Sequence, residues 1–290
     1  MEATGITEVR IEAPAKINLY LDILKKCTDG YHEVEMIMQT VSLFDVVTIR
    51  KADDCDISLT CTCKIADRPQ DNTAYIAAEK FFAHTKIENP GVNISLQKKI
   101  PQGAGLAGGS ADAAAVLIGL DRLFSMDLPQ SKLAKIGEQI GADVPFCIYG
   151  GTMLATGTGT ILKPLPVIPK CWIIIVKPNF SVSTKSAYEA SDRCAAMPRF
   201  QTASRLTSAI KAEDLRGIAK NLYNRFESVL NIEEVSKIKG MLKKNGALNS
   251  CMTGTGSAVY GIFDDEEKAQ ICKKVLNAAY DQVFLVTPVN

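Results

Sequence analysis

Apolar and polar residues alternate along much of the first half of the chain, with the period of two that is typical of half-buried β-strands. In the segment 17–23, for example, every second side chain is apolar. Further strands are predicted after residue 159. The predicted strands are EVRIEAP (8–14), AKINLYLDIL (15–24), VVTIR (46–50), ISLTCTC (57–63), VNISLQ (92–97), WIIIV (172–176), AVYGIF (258–263) and QVFLVT (282–287).

Other segments repeat their apolar residues every three to four positions, which predicts amphipathic helices. These are NTAYIAAEKFFAH (72–84), ADAAAVLIGLDRLF (111–124), SKLAKIGEQI (131–140), the region 203–229, EEVSKIKGMLKKNG (233–246) and the segment around Cys272. Strands and helices are segregated rather than strictly alternating, so the fold class predicted is α+β. The pattern resets after LPVIP (165–169). We therefore predict two domains, 1–158 and 159–290.

Composition narrows the class of protein. The chain has 290 residues, 47% of them hydrophobic, and a formal net charge of +1, so no basic field predicts a nucleic-acid partner. The apolar run CWIIIV (171–176) is far shorter than the roughly 20 residues of a membrane-spanning helix. The first 14 residues lack the basic start and apolar core of an export signal. We expect a cytoplasmic protein, monomeric or homodimeric, that acts on a small molecule.

Cysteine and histidine usage argues against two kinds of chemistry. Nine cysteines are an odd number and are spread along the chain, which favours reduced thiols over a disulfide framework. Cys61 and Cys63 alternate with polar residues, and we interpret them as small core residues of a strand rather than as zinc ligands. Only His32 and His84 are available, so a catalytic triad or a histidine-rich metal site is improbable.

The segment PQGAGLAGGSADAA (101–114) carries four glycines ahead of a run of alanines. Gly103, Gly105 and Gly108 match G-x-G-x-x-G, the dinucleotide fingerprint. However, KKIPQ separates the preceding strand from this segment, and the acidic residue at the right distance, Asp127, lies in a predicted loop. A P-loop would place a lysine where Gly109 stands.

The remaining interpretation is a phosphate cradle without a cation of its own. Consecutive backbone N–H groups and the start of the following helix bind phosphate oxygens, and glycine lets the backbone approach closely. Ser110 is then a phosphate ligand, a metal ligand or a helix cap. A plain glycine-rich turn is the structural alternative.

Five motifs in order resemble the GHMP kinases: PAKINLYLDI (14–23), DGYHEVEMIMQTVSLFD (29–45), IPQGAGLAGGSADAA (100–114), GADVPF (141–146) and MTGTGSAVYGIF (252–263). Together they span most of the chain. The glycine loop alone indicates only the superfamily. PAKINL followed by DGYH resembles the branch that phosphorylates the 2-hydroxyl of a cytidyl-methylerythritol in the non-mevalonate isoprenoid route.

This resemblance implies a two-domain fold with its active site in the inter-domain cleft, ATP as phosphoryl donor and Mg²⁺ as cofactor. It places the catalytic lysine on Lys16 and the catalytic aspartate on Asp143. It also implies that Asn18 contacts the methylerythritol hydroxyls, and that Tyr31, His32 and Tyr188 bind the cytidine. The implied ATP-binding residues are Asn72, Lys98, Pro101, Gln102, Gly103, Ala104, Gly105, Leu106, Ala107, Gly108, Gly109, Ser110 and Ala111.

The chemistry of phosphoryl transfer asks for the same two catalytic groups, because it needs positioning, charge stabilisation and a carboxylate that accepts the hydroxyl proton. Asp143 precedes Val144-Pro145, where we expect extended backbone. Lys16 shares a strand face with Asn18, opposite Ile17, so we expect it to point out of the core. A turn aspartate and a solvated strand lysine are the alternatives.

Two departures from the family pattern stand out. Ala107 replaces a usual glycine, which is tolerable if its φ is negative, and Thr73 replaces a usual aliphatic residue.

The rival functions are a GHMP kinase for another alcohol, such as homoserine or mevalonate, and a catalytically silent ligand-binding protein of the same fold. The presence of both Lys16 and Asp143 argues against the silent protein.

Overall fold

A computed structural model describes residues 6–63, 66–87, 91–194 and 203–289. They form two compact units, which interleave along the chain. Unit 1 comprises the described residues of Met1–Ala15, Leu43–Ile100 and Ala107–Tyr149, and unit 2 those of Lys16–Ser42, Pro101–Leu106 and Gly150–Asn290. The single boundary after residue 158 stays a prediction. Within the described ranges, no helix combines the length and apolar character needed to cross a bilayer.

Two long strands, β1 (Glu8–Lys26) and β2 (His32–Lys51), contribute residues to both units. In unit 1, β2 pairs with β4 (Val92–Gln97), which pairs in parallel with β3 (Ile57–Cys61). Four helices accompany these strands: α1 (Thr73–Thr85), α2 (Gly108–Leu123), α3 (Gln130–Glu138) and α4 (Val144–Tyr149). The alanine-rich α2 lies very close to the sheet, since a Cβ on Gly119 would come within 2.6 Å of Ile49 Cδ1.

Unit 2 contains an antiparallel sheet of order β11-β7-β10-β9. Here β2 also pairs with β5, β5 pairs with β6, and β1 pairs in parallel with β8. Its strands are β5 (Thr152–Thr156), β6 (Ile161–Pro164), β7 (Trp172–Lys177), β8 (Tyr223–Asn224), β9 (Asn249–Met252), β10 (Val259–Phe263) and β11 (Gln282–Val286). Its helices are α5 (Thr184–Arg193), α6 (Ala203–Lys211), α7 (Leu215–Lys220), α8 (Arg225–Leu230), α9 (Glu233–Lys244) and α10 (Glu266–Asn277). Helices α9 and α10 pack against this sheet.

The α+β class is confirmed, and the predicted segments fall on strands and helices. Two bounds differ in the first half: the segments 8–14 and 15–24 form the single strand β1, and VVTIR (46–50) is only the end of the longer β2. β4 coincides with VNISLQ, and its alternate residues Val92, Ile94 and Leu96 are buried as the pattern predicts. The interpretation of one cysteine is wrong. Cys63 follows β3 and is exposed rather than a core residue, whereas Cys61 is half-buried within the strand.

Two expectations about the backbone near the predicted catalytic groups are also wrong. Both faces of β1 are covered in unit 2, so Lys16 and Asn18 are buried rather than directed out of the core. Val144 and Pro145 are the first two residues of α4 rather than extended backbone. Proline is well suited to the first turn of a helix, where its missing N–H has no intrahelical acceptor.

Candidate active site

The first half of the glycine loop, Pro101–Leu106, lies in unit 2 against a second glycine loop, 252–257. A Cβ on Gly105 would lie 2.1 Å from the carbonyl oxygen of Thr253, and Gly105 has a φ of +75°. The Thr253 hydroxyl donates a hydrogen bond to the Gly105 carbonyl at 3.1 Å. Only glycine permits this approach of two backbones. The requirement for glycine is therefore explained here by packing between the two loops.

The same half of the loop is joined to β1. The backbone N–H of Lys16 donates to the carbonyl oxygen of Leu106 at 3.1 Å, and the N–H of Ala258 donates to the carbonyl of Ala104 at 3.2 Å. Pro101 and Gln102 precede these contacts in the loop. The structure thus brings Lys16 next to the predicted phosphate cradle within unit 2.

The second half of the loop belongs to unit 1 and opens α2. Ala107 is the residue before the helix, and its φ of +58° lies in the left-handed region. We expected alanine to replace glycine here without strain only if its φ were negative, and this condition is not met. Left-handed backbone costs a non-glycine residue about 1–2 kcal/mol. Ala107 is a strained position in the cradle.

Ser110 lies in the first turn of α2, and Ala111 follows it as a buried residue. Since Ala107 occupies the capping position, Ser110 does not cap the helix. Its hydroxyl makes no hydrogen bond to any of the described residues. A Cβ on Gly141 would come within 3.9 Å of Ser110 Oγ. The turn that carries Asp143 therefore lies beside the start of α2, within unit 1.

Asp143 is half-buried and immediately precedes α4. Its carbonyl oxygen accepts a hydrogen bond from the N–H of Cys147 at 3.1 Å, and the Val144 N–H donates to the carbonyl of Gly141 at 3.1 Å. These bonds fix the backbone on both sides of the carboxylate. Because α4 packs against α2, the turn has a defined position relative to the glycine-rich helix start.

Lys16 and Asn18 form a buried polar network in unit 2. The Lys16 ammonium donates to Asn18 Oδ1 at 2.7 Å, and the same oxygen accepts the N–H of Gly254 at 3.0 Å. The backbone N–H of Asn18 donates to the Thr253 hydroxyl at 3.0 Å, and Asn18 is fully buried. This geometry favours a role for Asn18 in orienting Lys16. A contact between Asn18 and substrate hydroxyls stays a prediction.

Lys98 lies in a different electrostatic environment, within unit 1. Its ammonium donates to the carboxylates of Asp45 and Asp112, and all three side chains are buried. Burial alone would lower the pKa of Lys98, but the interactions with Asp112 and Asp45 outweigh it and raise that pKa. Burial raises the pKa of Asp112 to about 7 against the opposing effect of Lys98.

Asp45 also holds the connector between β4 and the glycine loop. Its Oδ1 accepts the N–H groups of Lys99 at 2.5 Å and of Ile100 at 2.8 Å. By contrast, Asp112 Oδ1 is buried and finds no hydrogen-bond partner among the residues that the structure describes. The ammonium of Lys98 therefore neutralises carboxylates that fix the approach to the cradle. Its predicted contact with ATP stays a prediction.

Asn72 and Thr73 bring the start of α1 to the glycine loop. Asn72 is buried and caps α1, its Oδ1 accepting the N–H of Ala74 at 2.9 Å. The Thr73 hydroxyl donates to the carbonyl oxygen of Gly109 at 2.8 Å. Threonine at a position that is usually aliphatic in the family thus ties α1 to the loop. Binding of adenine near Asn72 stays a prediction.

The predicted cytidine-binding residues form one cluster in unit 2. The ring centroids of His32 and Tyr188 lie 4.7 Å apart with the ring planes inclined by 30°. Phe226 also contacts Tyr188 in a T-shaped arrangement, with ring centroids 5.1 Å apart. Tyr31 is adjacent in sequence, and 67% of its surface is exposed. The structure brings together His32 and Tyr188, which are 156 positions apart in the sequence.

Several residues of these networks were not predicted. Asp45, Asp112 and Thr253 lie inside the motifs 29–45, 100–114 and 252–263, but they were not singled out there as polar partners. Asp192 is different: its Oδ1 lies 2.6 Å from His32 Nε2. It follows Tyr188 by four residues, the spacing that puts two side chains on one helix face. That spacing is the signal that could have predicted it.

The model for the N-terminal domain of GHMP kinases matches residues 72–151, and the model for their C-terminal domain matches residues 206–282. The chain belongs to the GHMP kinase family. A protein of Caldicellulosiruptor saccharolyticus named 4-diphosphocytidyl-2-C-methyl-D-erythritol kinase is 42% identical over 96% of both chains. The kinase of the same name from Macrococcus caseolyticus is 43% identical over 94% of this chain and 97% of its own.

A solved structure gives the same result at the level of the fold. The crystal structure of a 4-(cytidine 5'-diphospho)-2C-methyl-D-erythritol kinase superposes on this chain with a TM-score of 0.83. It is 28% identical in sequence, and the alignment covers 97% of this chain and all of the other. The predicted two-domain GHMP kinase fold is therefore confirmed.

Proposed function

We propose that this protein transfers the γ-phosphate of ATP to the 2-hydroxyl of 4-diphosphocytidyl-2-C-methyl-D-erythritol, a step of the non-mevalonate isoprenoid route. The observation that carries the proposal is 42–43% identity over nearly the whole chain to kinases of that name. Proteins of this family act as kinases, and the residues that we assign to the site suit phosphoryl transfer. The proposal adds a substrate and a role for each residue.

The nucleotide is held by backbone rather than by a loop lysine. N–H groups of the loop 103–109 and the start of α2 bind phosphate oxygens, because unpaired N–H groups at a helix start attract anions. Closely packed glycines let those groups approach the triphosphate. We assign Asn72 and Lys98 to the adenine side, where Lys98 contributes shape more than charge.

The acceptor hydroxyl is activated by Asp143 and Lys16. Asp143 accepts the proton of the 2-hydroxyl as the oxygen attacks the γ-phosphorus, and the bond to the β-phosphate oxygen of ATP breaks to release ADP. The Lys16 ammonium stabilises negative charge on the transferring group. Its hydrogen bond to Asn18 supports this role, since the buried amide oxygen helps to fix the position of the ammonium.

Mg²⁺ fits this site as a phosphate-bound ion. Among the described residues, no cluster of three His, Cys, Asp or Glu side chains is arranged to hold a metal. Such a cluster is unnecessary, because Mg²⁺ bound with phosphates keeps water ligands and takes one or two ligands from the protein. We assign the Ser110 hydroxyl, which has no hydrogen-bond partner in the described chain, as one of them. When bound, the ion neutralises phosphate charge.

A coupled assay of ADP release tests the substrate. The purified protein is given ATP and Mg²⁺ with the cytidyl-methylerythritol substrate, homoserine or mevalonate, each in turn. We expect turnover with the cytidyl compound only. Turnover with one of the other alcohols would identify a different kinase. Binding of ATP and the cytidyl compound without any ADP release would favour a silent ligand-binding protein.

A substitution at His32 tests recognition of the cytidine. His32→Ala removes the imidazole that stacks on Tyr188, so we expect KM for the cytidyl substrate to rise about tenfold or more while KM for ATP changes little. His84→Ala is the matched control, because His84 lies in the last turn of α1 in unit 1. Equal increases of both KM values in His32→Ala would contradict the assignment.

A further inference from the structure

The carboxylate of Asp192 is the one described partner that hydrogen-bonds to the His32 ring. Asp192 Oδ1 lies 2.6 Å from His32 Nε2, and the Lys26 ammonium donates to the other carboxylate oxygen, Oδ2, at 2.5 Å. The His32 side chain is 10% exposed. Lys26 thus occupies one oxygen of Asp192 and leaves the other for the imidazole.

This arrangement determines where the proton of a neutral His32 resides. An ionised carboxylate only accepts hydrogen bonds, so it stabilises the tautomer that carries its proton on Nε2. Hydrogen bonds from His32 and Lys26 lower the pKa of Asp192, which keeps it ionised. Nδ1 then carries a lone pair. Within the described residues, Nδ1 has no hydrogen-bond partner.

The plane of the His32 ring is fixed as well as the position of its proton. Tyr188 contacts the His32 ring at 4.7 Å between centroids, and Phe226 contacts Tyr188 in a T-shaped arrangement. Tyr188 and Asp192 are one helical turn apart on α5, so one helix provides both the stacking ring and the carboxylate. An oriented acceptor nitrogen is the result.

We propose that Asp192, braced by Lys26, is a positioning residue that makes His32 Nδ1 a hydrogen-bond acceptor, and that this acceptor selects a pyrimidine base with an exocyclic amine over one with a carbonyl. The inference rests on the proposed function, which places a cytidine at His32. Cytosine offers an amine donor where uracil offers a carbonyl acceptor. An acceptor facing an acceptor leaves both unpaired, and such a mismatch is strongly rejected.

The first test compares cytidyl and uridyl forms of the substrate. Asp192→Asn can donate an amide N–H to Nε2 and so stabilise the opposite tautomer, in which Nδ1 carries the proton. We expect the ratio of kcat/KM for the cytidyl over the uridyl form to fall roughly tenfold to a hundredfold, with KM for ATP unchanged. Asp192→Glu keeps the carboxylate and is expected to retain more of the preference than Asp192→Asn.

Glu189→Gln provides a matched control. It makes the same change from carboxylate to amide on the same helix, at an exposed position for which the structure shows no contact with His32. We expect its preference between the two bases to equal that of the unmodified protein. If Asp192→Asn retains the full preference, or if Glu189→Gln loses as much, the proposal is overturned.

The second test does not depend on activity. The chain has only two histidines, so ¹⁵N spectra of the imidazole nitrogens contain two rings, and His84→Gln assigns them. We expect the neutral imidazole of His32 to carry its proton on Nε2 and to change tautomer in Asp192→Asn. A proton on Nδ1 in the unmodified protein overturns the proposal. If the tautomer is as expected but the cytidyl compound is not phosphorylated, the proposed function fails instead.

Discussion

Each of the two units buries a lysine beside the glycine loop, and the groups that hydrogen-bond to the two ammoniums differ. In unit 1 the ammonium of Lys98 lies between the buried carboxylates of Asp45 and Asp112. In unit 2 the ammonium of Lys16 donates to the amide oxygen of Asn18. The printed partners therefore differ: two carboxylates neutralise the Lys98 ammonium, and a neutral amide oxygen helps to orient the Lys16 ammonium.

We propose that the charge of Lys98 has a structural role and that the charge of Lys16 has a chemical role. A buried lysine between two carboxylates fixes neighbouring backbone, and here it fixes the connector that leads into the loop. An oriented ammonium at the loop itself can stabilise a transferring phosphoryl group. The same contrast applies to the carboxylates. Asp45 and Asp112 belong to the structural group, and we assign Asp143 to the chemical one.

Removal of the proposed base is expected to have the largest effect. Asp143→Asn keeps the shape of the side chain but cannot accept a proton, so kcat should fall roughly 10²- to 10⁴-fold with KM for ATP nearly unchanged. Steady-state kinetics measure both constants. Asp127→Asn is the control, because Asp127 is an exposed residue of unit 1 with a φ of +48°, which asparagine tolerates. Near-normal turnover in Asp143→Asn would rule out its role as base.

Substitution of the two lysines is expected to affect different quantities, kcat for Lys16 and stability for Lys98. Lys16→Met removes the charge that we propose stabilises the transferring phosphoryl group, so kcat should fall about 10²-fold or more with a modest loss of stability. Lys98→Met leaves two buried carboxylates without their cation and should lower the free energy of unfolding by about 3–5 kcal/mol. Chemical denaturation and ADP release measure the two quantities. A Lys98→Met protein of normal stability would contradict the comparison.

The titration of Asp112 gives a smaller effect that depends on pH. Its pKa in the folded protein, about 7, lies above its ordinary value, so the folded state binds more protons between pH 4 and pH 7. This group therefore contributes stability at low pH that is lost as the pH rises through 7, with a slope of at most about 1.4 kcal/mol per pH unit.

Asp112→Asn tests this expectation, because asparagine does not titrate and still leaves Asp45 to balance Lys98. Unfolding measured from pH 5 to pH 8 should show a shallower decline in the variant than in the unmodified protein. Asp121→Asn is the control, because it makes the same change on the same helix and an asparagine Oδ1 can still accept the N–H of Leu128. Parallel curves for Asp112→Asn and the unmodified protein would show that Asp112 does not titrate in this range.

The smallest expected effect concerns the backbone of the loop. Ala107→Gly relieves left-handed strain of about 1–2 kcal/mol, partly offset by the greater freedom of glycine in the unfolded chain. We expect a net gain of about 0.5–1 kcal/mol in the free energy of unfolding, measured by denaturation. Ala104→Gly, in the same loop, has no positive φ to relieve and should be destabilising. A loss of stability in Ala107→Gly would mean that the strain is absent.

Sequence periodicity was sufficient for the α+β class and for most elements, because alternation and helical spacing are local properties. The motifs also led to Lys16, Asp143 and His32 as candidates. The burial of Lys16 could not be predicted, since one strand's alternation does not reveal what covers its second face. The partners Asp45 and Asp112 were missed although both lie in the quoted motifs, because a motif does not show which side chains are paired and only the assembled fold brings both carboxylates to Lys98.

The hydrogen bond from Thr73 to Gly109 has a consequence for the electrostatics of anion binding. A carbonyl oxygen carries partial negative charge and repels a phosphate that approaches it. By donating to the Gly109 oxygen, the threonine hydroxyl on α1 offsets part of that negative charge. The surface left for a triphosphate is then richer in donors than the glycines alone would ensure.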